Sequence, residues 1–213
     1  MKNKQIKLLV ERYPVLKAIE NEVFNAYQIL VNCYAHGGKL LVAGNGGSAA
    51  DAEHIVGELM KSFMFERKIQ KKYADELVRL YGDEGVALSK KLEGTLCSIP
   101  LTSMPALSTA FINDVDPALT FAQMLYGYGR EGDCFLGIST SGNSKNILYA
   151  LQVAKAKGIT TIGLTGEGGG KMKELCDITI QVPEKETFMI QELHLPIYHC
   201  LCAMLEADFF EEK

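Results

Sequence analysis

The chain has 213 residues, 47% of them hydrophobic, which is enough for one sizeable globular core, and residues 1–213 are expected to form a single domain. A net charge of −4 and a pI near 5.6 give no global attraction to nucleic acid or to an anionic membrane surface. No apolar run reaches the ~18 residues of a membrane span, and MKNKQIKLLVERYP lacks a signal-peptide core, so a cytoplasmic protein with no membrane partner is expected.

Residues 3–36 read as helical, divided at Tyr13-Pro14, because proline fits a helix's first turn but breaks its interior. Beyond it, Leu16, Ile19, Val23, Phe24, Tyr27, Leu30, Val31 and Tyr34 make an apolar face wider than one sheet contact requires. Part of that face could equally pack on a partner subunit. Residues 39–43 are a short apolar strand, followed by the loop Gly44-Asn45-Gly46-Gly47-Ser48. A helix over 49–63 then carries Asp51, His54 and Glu58; the last two are four apart and share a face one turn from the loop. Residues 66–95 are charge-rich with Ile69, Tyr73, Leu77 and Leu80 at helical spacing. They predict a solvated excursion: a surface amphipathic helix, a turn at 82–85 and a second short helix.

Residues 96–101 are the next candidate strand, and 103–111 a helix. Asn113-Asp114-Val115-Asp116-Pro117 is a turn into a helix over 118–128. A strand at 133–138 leads through Ser139-Thr140-Ser141-Gly142-Asn143-Ser144 into a helix ending before Gly158, with Ile147, Leu148, Leu151 and Ala154 at its spacing. Then follow a strand at 160–164, a glycine turn at 166–170, a short helix at 171–175 and a strand at 178–182. A long helix over 188–209, bent at Pro196, closes the order. Strands alternating with helices at these lengths predict an α/β fold, a parallel sheet sandwiched in three layers. The six cysteines, Cys33, Cys97, Cys134, Cys176, Cys200 and Cys202, form no CxxC pair and read as reduced core thiols without disulfides.

The 139–144 loop sits between a strand end and a helix N-terminus, where free amides and the helix dipole favour an anion. Ser139, Thr140, Ser141 and Ser144 add hydroxyl donors, Gly142 allows close approach, and no Lys or Arg lies in the loop. A phosphate there would be held by neutral donors. Ser and Asn are also ordinary helix caps, but a second loop of the same build at 44–48 suggests one ligand gripped at the carboxyl ends of the sheet. Gln191 and His199 on the last helix are rotated by roughly 80° and can share a broad face. Glu58, His54, Gln191 and His199 could therefore converge on the anion site. A carboxylate and an imidazole there suit proton transfer between adjacent carbons, and the four side chains also suit a divalent metal such as zinc. Taken singly, each histidine reads equally as a satisfied core residue and Glu58 as an exposed helical carboxylate.

GNGGSAADAEH, ISTSGNS, LTGEGGGKM and IQELH, in this order, resemble the SIS (sugar isomerase) domain family, over residues 15–63 and 96–210. Within it they are similar to the isomerases of seven-carbon sugar phosphates. The resemblance implies a five-stranded parallel sheet flanked by helices, in a homotetramer with interfacial active sites. It implies an aldose–ketose isomerase acting on sedoheptulose 7-phosphate through an enediol, with Glu58 the base and His199 its acid/base counterpart. Ser139, Thr140, Ser141 and Ser144 would hold the phosphate. Asn45, Gly46, Gly47, Ser48, Asp114 and Gln191 would contact the sugar. Zinc-binding members imply His54, Glu58, Gln191 and His199 as the ligands of one Zn2+ per site. The chain departs from the pattern at Lys61-Ser62-Phe63, where an arginine is common, at Phe188-Met189, and in the length of the 66–95 excursion. A non-catalytic relative, similar to the replication-initiator-associating protein, is the alternative; such relatives can lack the glutamate and histidine that stand here at 58 and 199. It would bind a sugar phosphate or a partner protein and no nucleic acid directly.

Overall fold

A computed structural model describes residues 2–211. Its strands are β1 (Leu40–Ala43), β2 (Ser98–Pro100), β3 (Cys134–Ile138), β4 (Thr160–Thr165) and β5 (Ile178–Gln181). They form one five-stranded parallel sheet in the order β2-β1-β3-β4-β5, with Leu41 opposite both Ile99 and Phe135. The helices are α1 (Lys2–Arg12), α2 (Glu20–Ala35), α3 (Gly47–Met60), α4 (Lys71–Lys91) and α5 (Pro105–Asp114), followed by α6 (Thr120–Tyr128), α7 (Lys145–Ala156), α8 (Met172–Leu175) and α9 (Thr187–Phe210).

The two-residue period of the strands divides the core. Leu40 and Val42 point to one face and pack with Tyr27 of α2, Leu59 of α3 and Leu201 of α9. Leu41, Ala43 and Phe135 point to the other and meet Leu125 of α6 and Leu151 of α7. Every residue of β1 and β3 is buried, so these strands read as continuous apolar runs rather than alternating ones. Each such buried aliphatic side chain contributes roughly 1.5–3 kcal/mol. This is the three-layer α/β/α sandwich read from the sequence.

The differences are local. α3 starts at Gly47, two residues before the predicted 49, because Gly46 makes the turn at φ 56. It stops at Met60 rather than 63, since Lys61 is already extended at φ −142, ψ 175. α5 absorbs Asn113 and Asp114, which the sequence placed in a turn; Asp116 then caps the 3-10 turn Pro117–Leu119 by accepting from Ala118 N at 2.7 Å. Helix α9 is continuous through Pro196. The predicted pair of helices over 66–95 lies within α4, where Gly82 at φ 55, ψ −126 breaks the helix. A Cβ on Gly85 would lie 2.0 Å from the Leu77 carbonyl oxygen, so the two halves fold tightly back on each other. Not all of the excursion is solvated: Arg67, at its base, is buried. Cys97, read as a core thiol, is exposed; all six cysteines are free.

His194 of α9 is fully buried, and its Nε2 donates to the Thr165 carbonyl oxygen at 3.3 Å. Burial pushes its pKa down to about 4. The unfolded chain takes up this proton near pH 6.5 and the folded chain only near 4, so acid favours unfolding across that window. Stability contributed by the neutral ring is present above pH 6.5 and lost toward pH 4, roughly 3 kcal/mol in all. Urea unfolding from pH 7 to 4.5 should show this loss, and His194→Gln should flatten it. An unchanged slope in the variant would assign the acid sensitivity elsewhere.

Candidate active site

The carboxyl ends of β1 and β3 lie side by side, and the chains leaving them diverge. α3 packs into the core on one face and α7 into the core on the other. Neighbouring crossovers that leave for opposite faces open a crevice above the sheet. Both small-residue loops border it.

The loop after β3 is rigidly seated. Ser139 N donates to Leu164 O at 3.0 Å, and Gly142 N to Ser139 O at 3.0 Å. Gly142 has φ +64, and a Cβ there would lie 2.0 Å from the Gly169 carbonyl oxygen, so only glycine lets this loop press on the one after β4. Lys171 N donates to Asn143 Oδ1 at 3.1 Å across the same contact. Ser139 is buried, with its hydroxyl 2.8 Å from Ser144 Oγ. Thr140 is half-buried and Ser141 exposed. Ser144 occupies the N-cap of α7 but makes no side-chain cap bond. The opening turn of α7 therefore keeps amide donors for an anion.

The loop after β1 is tied to this one by a reciprocal amide pair. Asn45 Nδ2 donates to Asn146 Oδ1 at 3.0 Å, and Asn146 Nδ2 to Asn45 Oδ1 at 2.8 Å. Asn146 also accepts from Ile147 N at 3.0 Å. Nothing in its local pattern marks Asn146, because its partner is 101 residues away. Ser48 is buried, its N–H donating to Asn45 O at 3.0 Å. Gly47 leaves room for Gln191, whose Nε2 would stand 2.7 Å from a Cβ at that position. Thus Asn45, Gly46, Gly47, Ser48 and Gln191 gather at the start of α3. Asp114 is placed apart, exposed at the end of α5 and accepting from Asn113 Nδ2 at 2.8 Å.

Along α3 and α9 the titratable residues meet. His54 Nε2 is 3.2 Å from Glu58 Oε1, and its Nδ1 is 3.0 Å from the Tyr198 hydroxyl. Tyr198 in turn donates to Asp51 Oδ1 at 3.2 Å. The ring of His199 stands edge-on to His54 with centroids 5.0 Å apart. Lys61 Nζ lies 3.9 Å from Glu58 Oε2. Burial first, and His54 second, lower the pKa of His199 below its ordinary value and favour a neutral imidazole. Burial likewise raises the Asp51 carboxyl and the Tyr198 phenol. Glu58 Oε2 and His199 Nε2 are buried with no hydrogen-bond partner among the described residues.

Three of the four candidate metal ligands, His54, Glu58 and His199, thus share one cluster, with Gln191 two turns along α9 against Gly47. Imidazole nitrogen and carboxylate oxygen are donors that suit zinc, and the two orphaned atoms are free to ligate. As the side chains stand, no three His, Cys, Asp or Glu residues are arranged to hold an ion among the described residues. The His54–Glu58 bond would have to open for both to bind one.

The SIS domain family matches residues 4–95 and again 106–205. The chain is 42% identical over 199 residues to the phosphoheptose isomerase of Aneurinibacillus thermoaerophilus, covering 93% of this chain and 85% of the relative. It is 44% identical over 186 residues to phosphoheptose isomerase 2 of Campylobacter jejuni, covering 87% and 80%. Among solved structures, the phosphoheptose isomerase of Francisella tularensis superposes with a TM-score of 0.75 at 29% identity, covering 95% of each chain. That of Neisseria gonorrhoeae gives 0.73 at 28% identity, covering 96% of this chain and 94% of the other.

The seating of the loop after β3 is open to a direct check. Gly142→Ala should lose about 2–4 kcal/mol in urea unfolding, from a strained positive φ and a clash with Gly169. Unchanged stability would mean that the two loops are not pressed together.

Proposed function

The chain belongs to the phosphoheptose isomerase family of SIS domain proteins, and on that premise we infer that it interconverts sedoheptulose 7-phosphate and D-glycero-D-manno-heptose 7-phosphate in the crevice between β1 and β3. It is an isomerase. The observation that carries the site assignment is the convergence of Glu58 and His199, from two helices, on His54, each with a buried atom lacking a hydrogen-bond partner among the described residues. The likeness to named phosphoheptose isomerases speaks against the non-catalytic alternative.

The Ser139–Ser144 hydroxyls and the uncapped start of α7 hold the phosphate at one end of the sugar. In the ketose-to-aldose direction, the Glu58 carboxylate takes a proton from C1, and the C–H electron pair becomes the C1–C2 double bond. His199 donates an N–H to the C2 carbonyl oxygen as charge develops there, giving the enediol. The O1 proton then passes to His199 while Glu58 returns its proton to C2, leaving an aldehyde at C1 and both side chains in their starting states. Gln191 and the Asn45–Asn146 pair hold the first loop against the sugar. Asp114, exposed on α5, reaches substrate once assembly brings that helix over a crevice.

A zinc ion fits the donor chemistry of His54, Glu58, Gln191 and His199, and when bound would polarise the carbonyl oxygen as a Lewis acid. Supporting a homotetramer, α5 buries no residue of its own, and Ile112, Val115 and Tyr126 are exposed apolar side chains nearby in sequence. Six free thiols favour the cytoplasm.

Proton NMR of sedoheptulose 7-phosphate with the protein in D2O should show an aldose anomeric signal and deuterium at C2. Glu58→Gln should abolish turnover, by about 10²–10⁴-fold or more, with substrate affinity nearly intact, because an amide keeps the shape but takes no proton. Wild-type turnover in that variant would remove Glu58 as the base. Metal analysis of the purified protein should find about one zinc per chain, lost from His199→Ala; a metal-free and fully active wild type would refute the zinc assignment.

A further inference from the structure

Arg67 is absent from the chemistry above, yet it is among the few charged side chains buried in the fold. Its side chain and that of Glu206 are both fully buried, with Arg67 Nε donating to Glu206 Oε1 at 2.7 Å. The other arms of the guanidinium reach back to the end of α3. Nη1 donates to the Leu59 carbonyl oxygen at 2.8 Å, and Nη2 to the Glu58 carbonyl oxygen at 2.9 Å. The Phe210 ring covers the group, its centroid 4.9 Å from Cζ. Glu206 is equally occupied, accepting from Phe63 N at 2.7 Å and Met64 N at 2.6 Å.

The last carbonyls of any helix lack intrahelical partners. α3 ends abruptly at Met60, and two of its last carbonyls, those of Glu58 and Leu59, accept from one side chain nine residues beyond Glu58; Leu59 O also accepts from Leu96 N at 2.9 Å, so Arg67 is the side chain that holds the Glu58 carbonyl. A buried ion pair by itself adds little to stability, so stability alone gives weak reason for this arrangement. A lysine could also neutralise Glu206. Only a planar fork can meet a carboxylate and two neighbouring carbonyls at once.

We propose that Arg67 is a positioning residue for the base: by bonding the Glu58 and Leu59 carbonyls it fixes the backbone from which the Glu58 carboxylate reaches C1, with Glu206 as its counter-charge. The proposal rests on the reading of Glu58 as the base. A displacement of about 1 Å at a reacting group costs on the order of 10²-fold in rate, so losing these two bonds affects turnover before it affects substrate binding.

The test is Arg67→Lys, which keeps the charge opposite Glu206 and loses the fork. We expect kcat to fall about 10–100-fold with KM within about threefold, and the primary isotope effect with C1-deuterated ketose to rise because proton abstraction becomes slower. Glu206→Gln is the counterpart: the carbonyl bonds remain, so the melting temperature falls while kcat stays within about twofold. A kcat that follows the melting temperature across both variants, or an unchanged isotope effect, overturns the proposal in favour of a purely structural pair. Should Arg67→Lys not fold, Arg67→Met/Glu206→Gln removes both buried charges and carries the same expectations; if that also fails to fold, the Glu206→Gln result decides. Glu58→Gln separates the two readings. If it is inactive while Arg67→Lys turns over normally, only the positioning role fails; if it is active, the base assignment fails first.

Discussion

The geometry of the site depends on adjacent parallel strands sending their chains to opposite faces. β1 and β3 are neighbours, but α3 joins the core beside α2 and α9 while α7 joins the one beside α6. Because crossovers keep one hand, reversing the direction of travel across the sheet requires changing face. The gap so created lies where two helix N-termini begin. Sequence supplies small and hydroxylic residues there, since only these let backbone amides stay accessible. The polar link between Asn45 and Asn146 then holds the two sides of the gap in fixed register.

α9 does the complementary task from one face. Its inner stripe places His194 against β4, Tyr198 and His199 against α3, and Glu206 against the segment after α3. Tyr198 follows His194 by four residues and Glu206 follows His199 by seven, about one and two helical turns, so one rigid element fixes His199 and the counter-charge of Arg67 together. Their relative placement is inherited from the packing of Ile197, Leu201 and Leu205 in the core. Dense packing around the helix makes the site stiff without requiring a dedicated scaffold.

Much of this was legible in the sequence because it is local. Strand, loop and helix succeed one another within about twenty residues, and periodicity marks each of them. The four-residue spacing of His54 and Glu58 already places them together. What was not legible depends on distant partners. Asn146 looks like any polar residue in a helix's first turn until Asn45 is opposite it. Arg67 sits in a charge-rich run, and such runs are usually solvated; only Glu206 and the end of α3 make its burial tolerable. The early start of α3 has another cause: Gly46 at positive φ begins a helix without a sequence pattern of its own, whereas the reversal at Gly82 falls within the turn read at 82–85.

Two kinds of buried polar group stand side by side around α3, and their contrast says how the site is built. Arg67 and Glu206 are both engaged by hydrogen bonds that fix a helix end. A few residues away, Asp51 Oδ2, Glu58 Oε2 and His199 Nε2 are buried without hydrogen-bond partners among the described residues. An unsatisfied buried polar group costs about 1–3 kcal/mol, so three of them clustered together are a substantial local deficit. Left unsupported, such atoms would relax toward water or toward one another. The satisfied pair and the close packing of α9 oppose that relaxation by holding the backbone still. A ligand that supplies the missing partners recovers the deficit on binding. The same feature therefore weakens the empty protein and strengthens its hold on any such ligand. This balance is tolerable only because the sheet beneath is buried on both faces and contributes stability far from the crevice.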